Sequence, residues 1–271
     1  VVSFSPPDKL ERQYQTQIIK VLRYWLPVKH KGVSSAIWLN EVATLTSKHA
    51  FKSDLTNLAA SFIKKVEDSN KIAWRKLVRE SSRTQYADGL INRHRNSNLK
   101  LKLESNVKNL VKLPSVVASQ LKKESETENI ELNDLSKRRF SDVLLTKINL
   151  EARTQINSTN SLVTQSRSNV VGSEYFIWSA RLDRLSRFSH RALNGVIVSW
   201  KSLPNPETLA GVKSFLGNYA PGDCPNCRCS PTPIMKLADV FDKNSIVRFH
   251  LNGAILQINR AQFIKITGVE A

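Results

Sequence analysis

Ile246-Val247-Arg248-Phe249-His250-Leu251, then Asn252-Gly253, then Ala254-Ile255-Leu256-Gln257-Ile258, is the stretch that decides the fold class. Two β-prone runs flank an Asn-Gly pair, and a two-residue hairpin turn needs positive φ at both central positions, which Asn and Gly tolerate. Working back toward Gly172, Glu174-Tyr175-Phe176-Ile177-Trp178 and Val196-Ile197-Val198-Ser199-Trp200 read as two more short strands, and residues 262–266 as a further one. Upstream of Gly172 the apolar period changes from two to between three and four. Residues 8–26 carry Leu10, Tyr14, Ile18, Leu22 and Trp25 between a capping Asp8 and the stop at Pro27, the pattern of an amphipathic helix. A second helix, capped by Ser34 or Ser35, bears Ile37, Leu39, Val42, Leu45 and Phe51. A third begins at Ser53 or Asp54, and a fourth at Lys71. Helix resumes from Leu99 to Leu121 with a break at Pro114, and a last helix runs from about Asn133 to Val171 before Gly172. The expected class is α+β, a mainly helical N-terminal region followed by a small α+β C-terminal domain with short strands and a terminal β-hairpin. The expected boundaries are a helical region over 1–121, an acidic linker over 122–131 and the C-terminal domain over 132–271.

Charge narrows the function classes. The 271 residues hold 41 Lys+Arg against 23 Asp+Glu, a formal net charge of +18, which points to a polyanionic partner. No run of about 18 apolar residues is present, so no helical membrane span is expected. Residues 1–13 lack the basic and apolar pattern of a secretory signal, so a cytosolic or assembly-compartment protein is expected. Residues 71–112 contain 11 Lys/Arg against three acids. Lys71, Arg75 and Arg79 recur at four-residue steps, with Lys76, Arg83, Arg93 and Arg95 nearby, and are expected to track the phosphates of double-stranded DNA without sequence preference. A solvated helix face is the alternative.

All three cysteines fall within Pro221-Gly222-Asp223-Cys224-Pro225-Asn226-Cys227-Arg228-Cys229. In a reducing compartment, thiolates on one tight turn converge on a tetrahedral ion more readily than they pair, so a structural zinc is expected on Cys224, Cys227 and Cys229. The first choice for the fourth ligand is His190, with His250 and Asp223 behind it. The alternatives are ordinary small buried residues, or two oxidised thiols. Between Trp178 and Gly195, Asp183 and His190 invite a catalytic pairing of orienter and base. No nucleophile with a recognisable surround stands near, and Glu174 is the single glutamate close to the motif in sequence. The structural reading is preferred, with packing by Trp178 and Leu193, an Asp183–arginine pair and a turn at Asn194-Gly195.

The order Trp178-x4-Asp183-x3-Arg187-x2-His190-x2-Leu193-Asn194-Gly195, then Pro221-Gly222 and Cys227-Arg228-Cys229, resembles the phage Mu F-like minor head protein family, the head morphogenesis proteins of tailed phages. Glu151-Ala152-Arg153-Thr154-Gln155, with Asn157 and Asn160, is similar to the helix leading into that motif. Leu185 stands where the family often has Arg, and Cys224 is an additional thiol. The resemblance covers roughly residues 145–235. It implies a low-copy virion protein inside the head, assembled in the host cytoplasm, associated with the portal protein or the major capsid protein and acting in assembly or DNA passage. It implies no enzyme activity, membrane contact or small-molecule substrate. The competing reading is a zinc-dependent DNA-binding or DNA-processing enzyme, in which Asp183, His190 and the cysteines hold an ion that activates water.

Overall fold

The computed structural model describes residues 2–30, 32–80, 97–128, 137–214, 216–242 and 245–269. Helix α1 (Asp8–Trp25) buries Leu10, Tyr14, Ile18 and Leu22, the stripe its spacing specifies. Ser34 caps α2 (Ser35–Thr44) by accepting the Ile37 N–H. The expected third and fourth helices are one continuous element, α3 (His49–Glu80), which also contains Phe51. No Gly or Pro interrupts that span, and Asp54, expected as a cap, instead accepts the Trp25 indole N–H at 2.8 Å. Helix α4 (Ser97–Glu128) runs through Pro114, where a break was expected, and through residues 122–128 of the stretch expected as linker. Leu110, Leu113, Val117 and Leu121 are buried around that proline. At about 1.5–3 kcal/mol for each buried side chain, their packing outweighs the roughly 3 kcal/mol that a mid-helix proline costs. Helix α5 (Lys137–Val171) stops at Gly172, whose φ of 74° is the left-handed conformation glycine supplies.

Two compact units emerge, and they interleave along the chain. One comprises residues 8–65 and 100–155; the other comprises residues 1–7, 66–99 and 156–271. Among the described residues the regular elements of the first are all helical, and it is held by aromatic packing. Tyr14 stacks on Phe62 with ring centroids 4.5 Å apart, and Trp38 meets Phe140 edge-on at 4.9 Å. The Tyr14 hydroxyl donates to Gln155 Oε1 at 2.7 Å, and Gln155 Nε2 donates to the Asn106 carbonyl at 3.1 Å, so the buried amide is satisfied at both ends.

The second unit contains a five-stranded mixed sheet of order β3-β1-β2-β4-β5, with β1 (Tyr175–Ser179), β2 (Val196–Ser199), β3 (Ser230–Pro233), β4 (Val247–Leu251) and β5 (Ala254–Ile258). Strand β2 pairs antiparallel with β1 and parallel with β4. The β4–β5 hairpin turns at Asn252 and Gly253, with φ of 49° and 79°, as the Asn-Gly pair predicts. Strand β3 was not foreseen, because Ser-Pro-Thr-Pro argues against a strand; it is tolerated because it lies on the sheet edge. Residues 262–266, expected as a strand, belong instead to helix α8 (Arg260–Thr267), which follows the short helices α6 (Phe188–Ala192) and α7 (Pro206–Leu209). Asn259 and Gln262 form a reciprocal capping box, and Gly268 closes the helix at φ 68°. Both sheet faces are covered. Phe176, Trp178, Val196 and Val198 pack with the three cysteines on one face, and Ile197, Phe249, Ile258 and Phe263 pack on the other.

A polar seam joins the parts of α3 and α5 that belong to this second unit. Asn70 Nδ2 donates to Asn160 Oδ1 at 2.9 Å and to Thr164 Oγ1 at 2.7 Å. Arg167 Nη1 donates to Asn70 Oδ1 at 2.6 Å and to the Glu67 carbonyl at 3.1 Å. Asn160 Nδ2 in turn holds the Phe4 carbonyl at 2.7 Å, which seats the first residues beside Trp74. All four side chains of the seam are buried.

Candidate metal centre

Strand β1 ends in a loop whose shape Asp183 sets. Its carboxylate accepts the Leu185 N–H and the Ser186 hydroxyl, at 3.0 and 3.1 Å, folding the loop back on itself. The same carboxylate takes Arg228 at 2.6 Å, clamping the loop to the segment between the last two cysteines. Burial pushes the Asp183 carboxyl up, but the Arg228 guanidinium and the loop donors outweigh it and hold the group below its usual range. Asp183 is thus the arginine partner that the structural reading required, and His190 finds a different partner.

Arg187 precedes the short helix α6 (Phe188–Ala192), which places His190 inward and buries it. Beyond that helix, Asn194 Oδ1 accepts the Ala180 N–H at 3.0 Å, and Gly195 N–H reaches the Trp178 carbonyl at 2.8 Å with its own φ at 78°. The Asn-Gly pair therefore stitches the return into β2. On the other side, Gly222 lies so close to α5 that a Cβ there would stand 2.8 Å from the Asn157 carbonyl oxygen. That approach fixes the start of the cysteine turn, which continues with Cys227 N–H bonded to the Cys224 carbonyl at 3.0 Å and Asn226 at φ 63°.

These constraints bring His190, Cys227 and Cys229 together in a buried cluster whose donor atoms all lie within 4.8 Å of one another. His190 Nδ1 is 3.4 Å from Cys227 Sγ and 3.5 Å from Cys229 Sγ. A tetrahedral zinc with bonds of about 2.3 Å to sulfur and about 2.0 Å to nitrogen spaces those atoms about 3.5 Å apart, so the donor set fits the ion. The Cys229 N–H points to Cys227 Sγ at 3.4 Å, a contact that favours a thiolate. Hydrogen bonding to Cys229, followed by burial, pushes the Cys227 thiol well up. Hydrogen bonding to Cys227 lowers the Cys229 thiol despite its burial. Burial would lower the His190 imidazole, but the thiols of Cys224 and Cys227 outweigh it and raise the group to about 9. Cys224, expected as a ligand, lies outside the group of three, and its sulfur receives Arg187 Nη1. All three cysteines are free thiols.

The far side of the imidazole is also engaged. His190 Nε2 is 2.9 Å from the Tyr219 hydroxyl, which donates to Glu207 at 2.7 Å. Such a relay fixes the ring orientation and leaves Nδ1 facing the sulfurs. Neither Tyr219 nor Glu207 was foreseen, since no local pattern couples either one to His190. Glu174, the glutamate expected near the motif, instead pairs with Lys201 at 2.5 Å. His250 is buried on β4 with Nδ1 lacking a hydrogen-bond partner, and neither it nor Asp223 belongs to the cluster. Of the expected DNA-contacting residues, Lys71, Arg75, Lys76 and Arg79 follow one another on the last turns of α3, with Lys76 and Arg79 exposed and Lys71 and Arg75 half-buried. Lys76 pairs with Glu80 at 4.0 Å. Arg83, Arg93 and Arg95 lie outside the described residues.

A family model described as Phage Mu protein F like protein matches residues 83–232, which includes every residue from Trp178 to Cys229 discussed above. An uncharacterized protein of Haemophilus influenzae is 32% identical over 94 residues, an alignment covering 35% of this chain. That alignment takes in 19% of the relative, so this chain spans about a fifth of its length. No solved structure matches.

Proposed function

This chain belongs to the phage Mu protein F like family, whose members are structural head-morphogenesis proteins without catalytic activity, and from that premise we propose a specific role for it. It is a minor component of a tailed-phage head, placed inside the capsid near the portal vertex, that aids head assembly and the packaging or ejection of DNA. The observation that carries this reading is the coincidence of the family match with the motif geometry. Asp183, Asn194, Gly195 and Gly222 each hold the backbone in a particular place around the His190–Cys227–Cys229 cluster, which is what a scaffold requires.

Within this reading His190, Cys227 and Cys229 would hold a structural zinc, with Cys224 as the fourth ligand. Such an ion would supply a cross-link between α6 and the cysteine turn. The Tyr219–Glu207 relay orients the imidazole and Arg187 offsets thiolate charge. The α3 residues Lys71, Arg75, Lys76 and Arg79 contact double-stranded DNA through phosphate alone. Helices in residues 8–80 dock to the portal protein or the inner capsid wall.

The test is composition and position in purified particles. Mass spectrometry of DNA-filled heads is expected to find this chain at low copy, and immunogold labelling of opened heads to place it at one vertex. Absence from particles, or even labelling over the whole shell, overturns the placement.

A further inference from the structure

Beside the His190–Cys227–Cys229 cluster, the second unit presents an open groove of about 520 Å³ lined by Phe188, Val212 and Leu216 together with Arg187, Ser189, Glu207 and Lys213. Its apolar side chains are conspicuously wet: Phe188 is 68% exposed, Val212 52% and Leu216 51%. Leu182 and Leu185, on the loop just before α6, are exposed too, and Leu185 shares a second depression with Arg187. Exposed apolar side chains scattered singly need no explanation, but three lining one groove, with two more on the adjoining loop, mark a contact surface.

Charge says what kind of contact. The segment 181–191 holds Arg181, Arg184, Arg187 and Arg191 against the single acid Asp183, and Lys213 adds a cation at the groove. The carboxylates nearby are already committed, Asp183 to Arg228 and Glu207 to Tyr219. At the groove itself Arg187 and Lys213 stand against one acid, Glu207, which Tyr219 already engages, so the balance beside the apolar floor is basic. We propose that this groove is a docking site for an acidic, amphipathic segment of a partner protein, its large apolar side chains seated between Phe188, Val212 and Leu216 and its carboxylates meeting the basic side chains beside them. A nucleic-acid backbone has no apolar groups to fill such a floor, whereas an amphipathic protein segment matches floor and charge together. Arg187 also ties the groove to the cysteine turn, because it donates to Cys224 Sγ and to the Pro225 carbonyl. The groove wall and the cluster thus share one side chain. Only the identity of the partner as a head protein rests on the function proposed above.

The test is photo-crosslinking with p-benzoylphenylalanine in place of Val212, in the full chain, inside cells producing the phage. The same probe in place of Ile37, an exposed side chain of α2 in the other unit, is the control. The expected result is an adduct on one protein segment of net negative charge bearing Leu, Ile, Phe or Met. A companion chain carrying Phe188→Ser and Arg184→Glu is expected to lose at least five-fold of that adduct with its thermal melt unchanged. Should that pair of changes lower the melt, Leu216→Ser serves in its place. Adducts on DNA, on a basic segment or on a second copy of this chain, or yields no higher than at position 37, overturn the proposal. An adduct on an acidic segment of a protein absent from heads keeps the groove assignment and overturns the head placement instead.

Discussion

The helical unit and the sheet-bearing unit are held together by different means. In residues 8–65 and 100–155, stability comes from large apolar and aromatic side chains packed along long helices, as where Tyr14 meets Phe62 and Trp38 meets Phe140. Many sequences satisfy such packing, provided volume and pattern are kept. In the sheet-bearing unit, single atoms occupy places nothing else can fill: Asp183 between its own loop and Arg228, Gly222 against the Asn157 carbonyl, His190 between Tyr219 and two sulfurs. Tolerant packing leaves a period in the sequence, whereas point constraints leave a motif. That difference explains why the spaced motif from Trp178 to Cys229 lies in the sheet-bearing unit.

The contrast can be broken most directly at the cysteines. With zinc bound, Cys227→Ser is expected to abolish stoichiometric metal and to lower the melting temperature of the sheet-bearing unit by about 10 °C or more, since structural zinc contributes several kcal/mol and each is worth roughly 2–4 °C at this size. Elemental analysis with calorimetry checks it. A helical unit melting at its original temperature would sustain the contrast, and a single cooperative loss of both would end it. Next in size is Gly222→Ala, which places a methyl group 2.8 Å from a backbone oxygen at a φ of 93° and is expected to cost about 3 kcal/mol by chemical denaturation. A change under about 0.5 kcal/mol would show that the turn yields, and that the second unit is no more exacting than the first.

Smaller effects sharpen the comparison. Tyr219→Phe removes the hydroxyl between His190 and Glu207 and is expected to weaken metal binding about 10–100-fold, read by chelator competition, with the fold retained. An unchanged affinity would mean that packing alone orients the imidazole. Smallest of all, Tyr14→Phe in the helical unit removes one hydrogen bond, to Gln155, and is expected to cost about 1 kcal/mol without altering metal content. A cost as large as that of Gly222→Ala would make Tyr14 a point constraint too.

The sequence was readable in the same uneven way. The hairpin at Asn252-Gly253, the stripe of α1 and the end of α5 at Gly172 were legible because each leaves a local signature. Strand β3 was illegible because its two prolines forbid it anywhere but an edge, and edges are settled by tertiary contacts. The continuity of α3 and α4 was missed because Asp54 and Pro114 look like boundaries until Trp25 and the buried leucines around them are seen. Helix α8 was missable only by neglect of its capping box, Asn259 and Gln262, with Gly268 beyond. At the candidate metal centre, clustering of thiols pointed to Cys227 and Cys229 and the family motif to His190. Spacing makes Cys224 their equal because it does not reveal Arg187, and no local pattern couples Tyr219 or Glu207 to His190.

The seam between α3 and α5 has a consequence for alignment. Apolar ridges let two helices slide past each other by a turn with little penalty, but Arg167 finds oxygen acceptors only while Asn70 and the Glu67 carbonyl stand opposite it, and Asn70 needs Asn160 and Thr164 in the same setting. A slip of one turn, about 5.4 Å, would strand a buried guanidinium, at a cost of several kcal/mol. The four residues act as a vernier: they contribute little net stability and admit one axial setting. Replacing Asn70, Asn160, Thr164 and Arg167 together by apolar residues of similar volume should therefore leave the unit as stable as before, with spin-label distances across the seam broadened from one population to several.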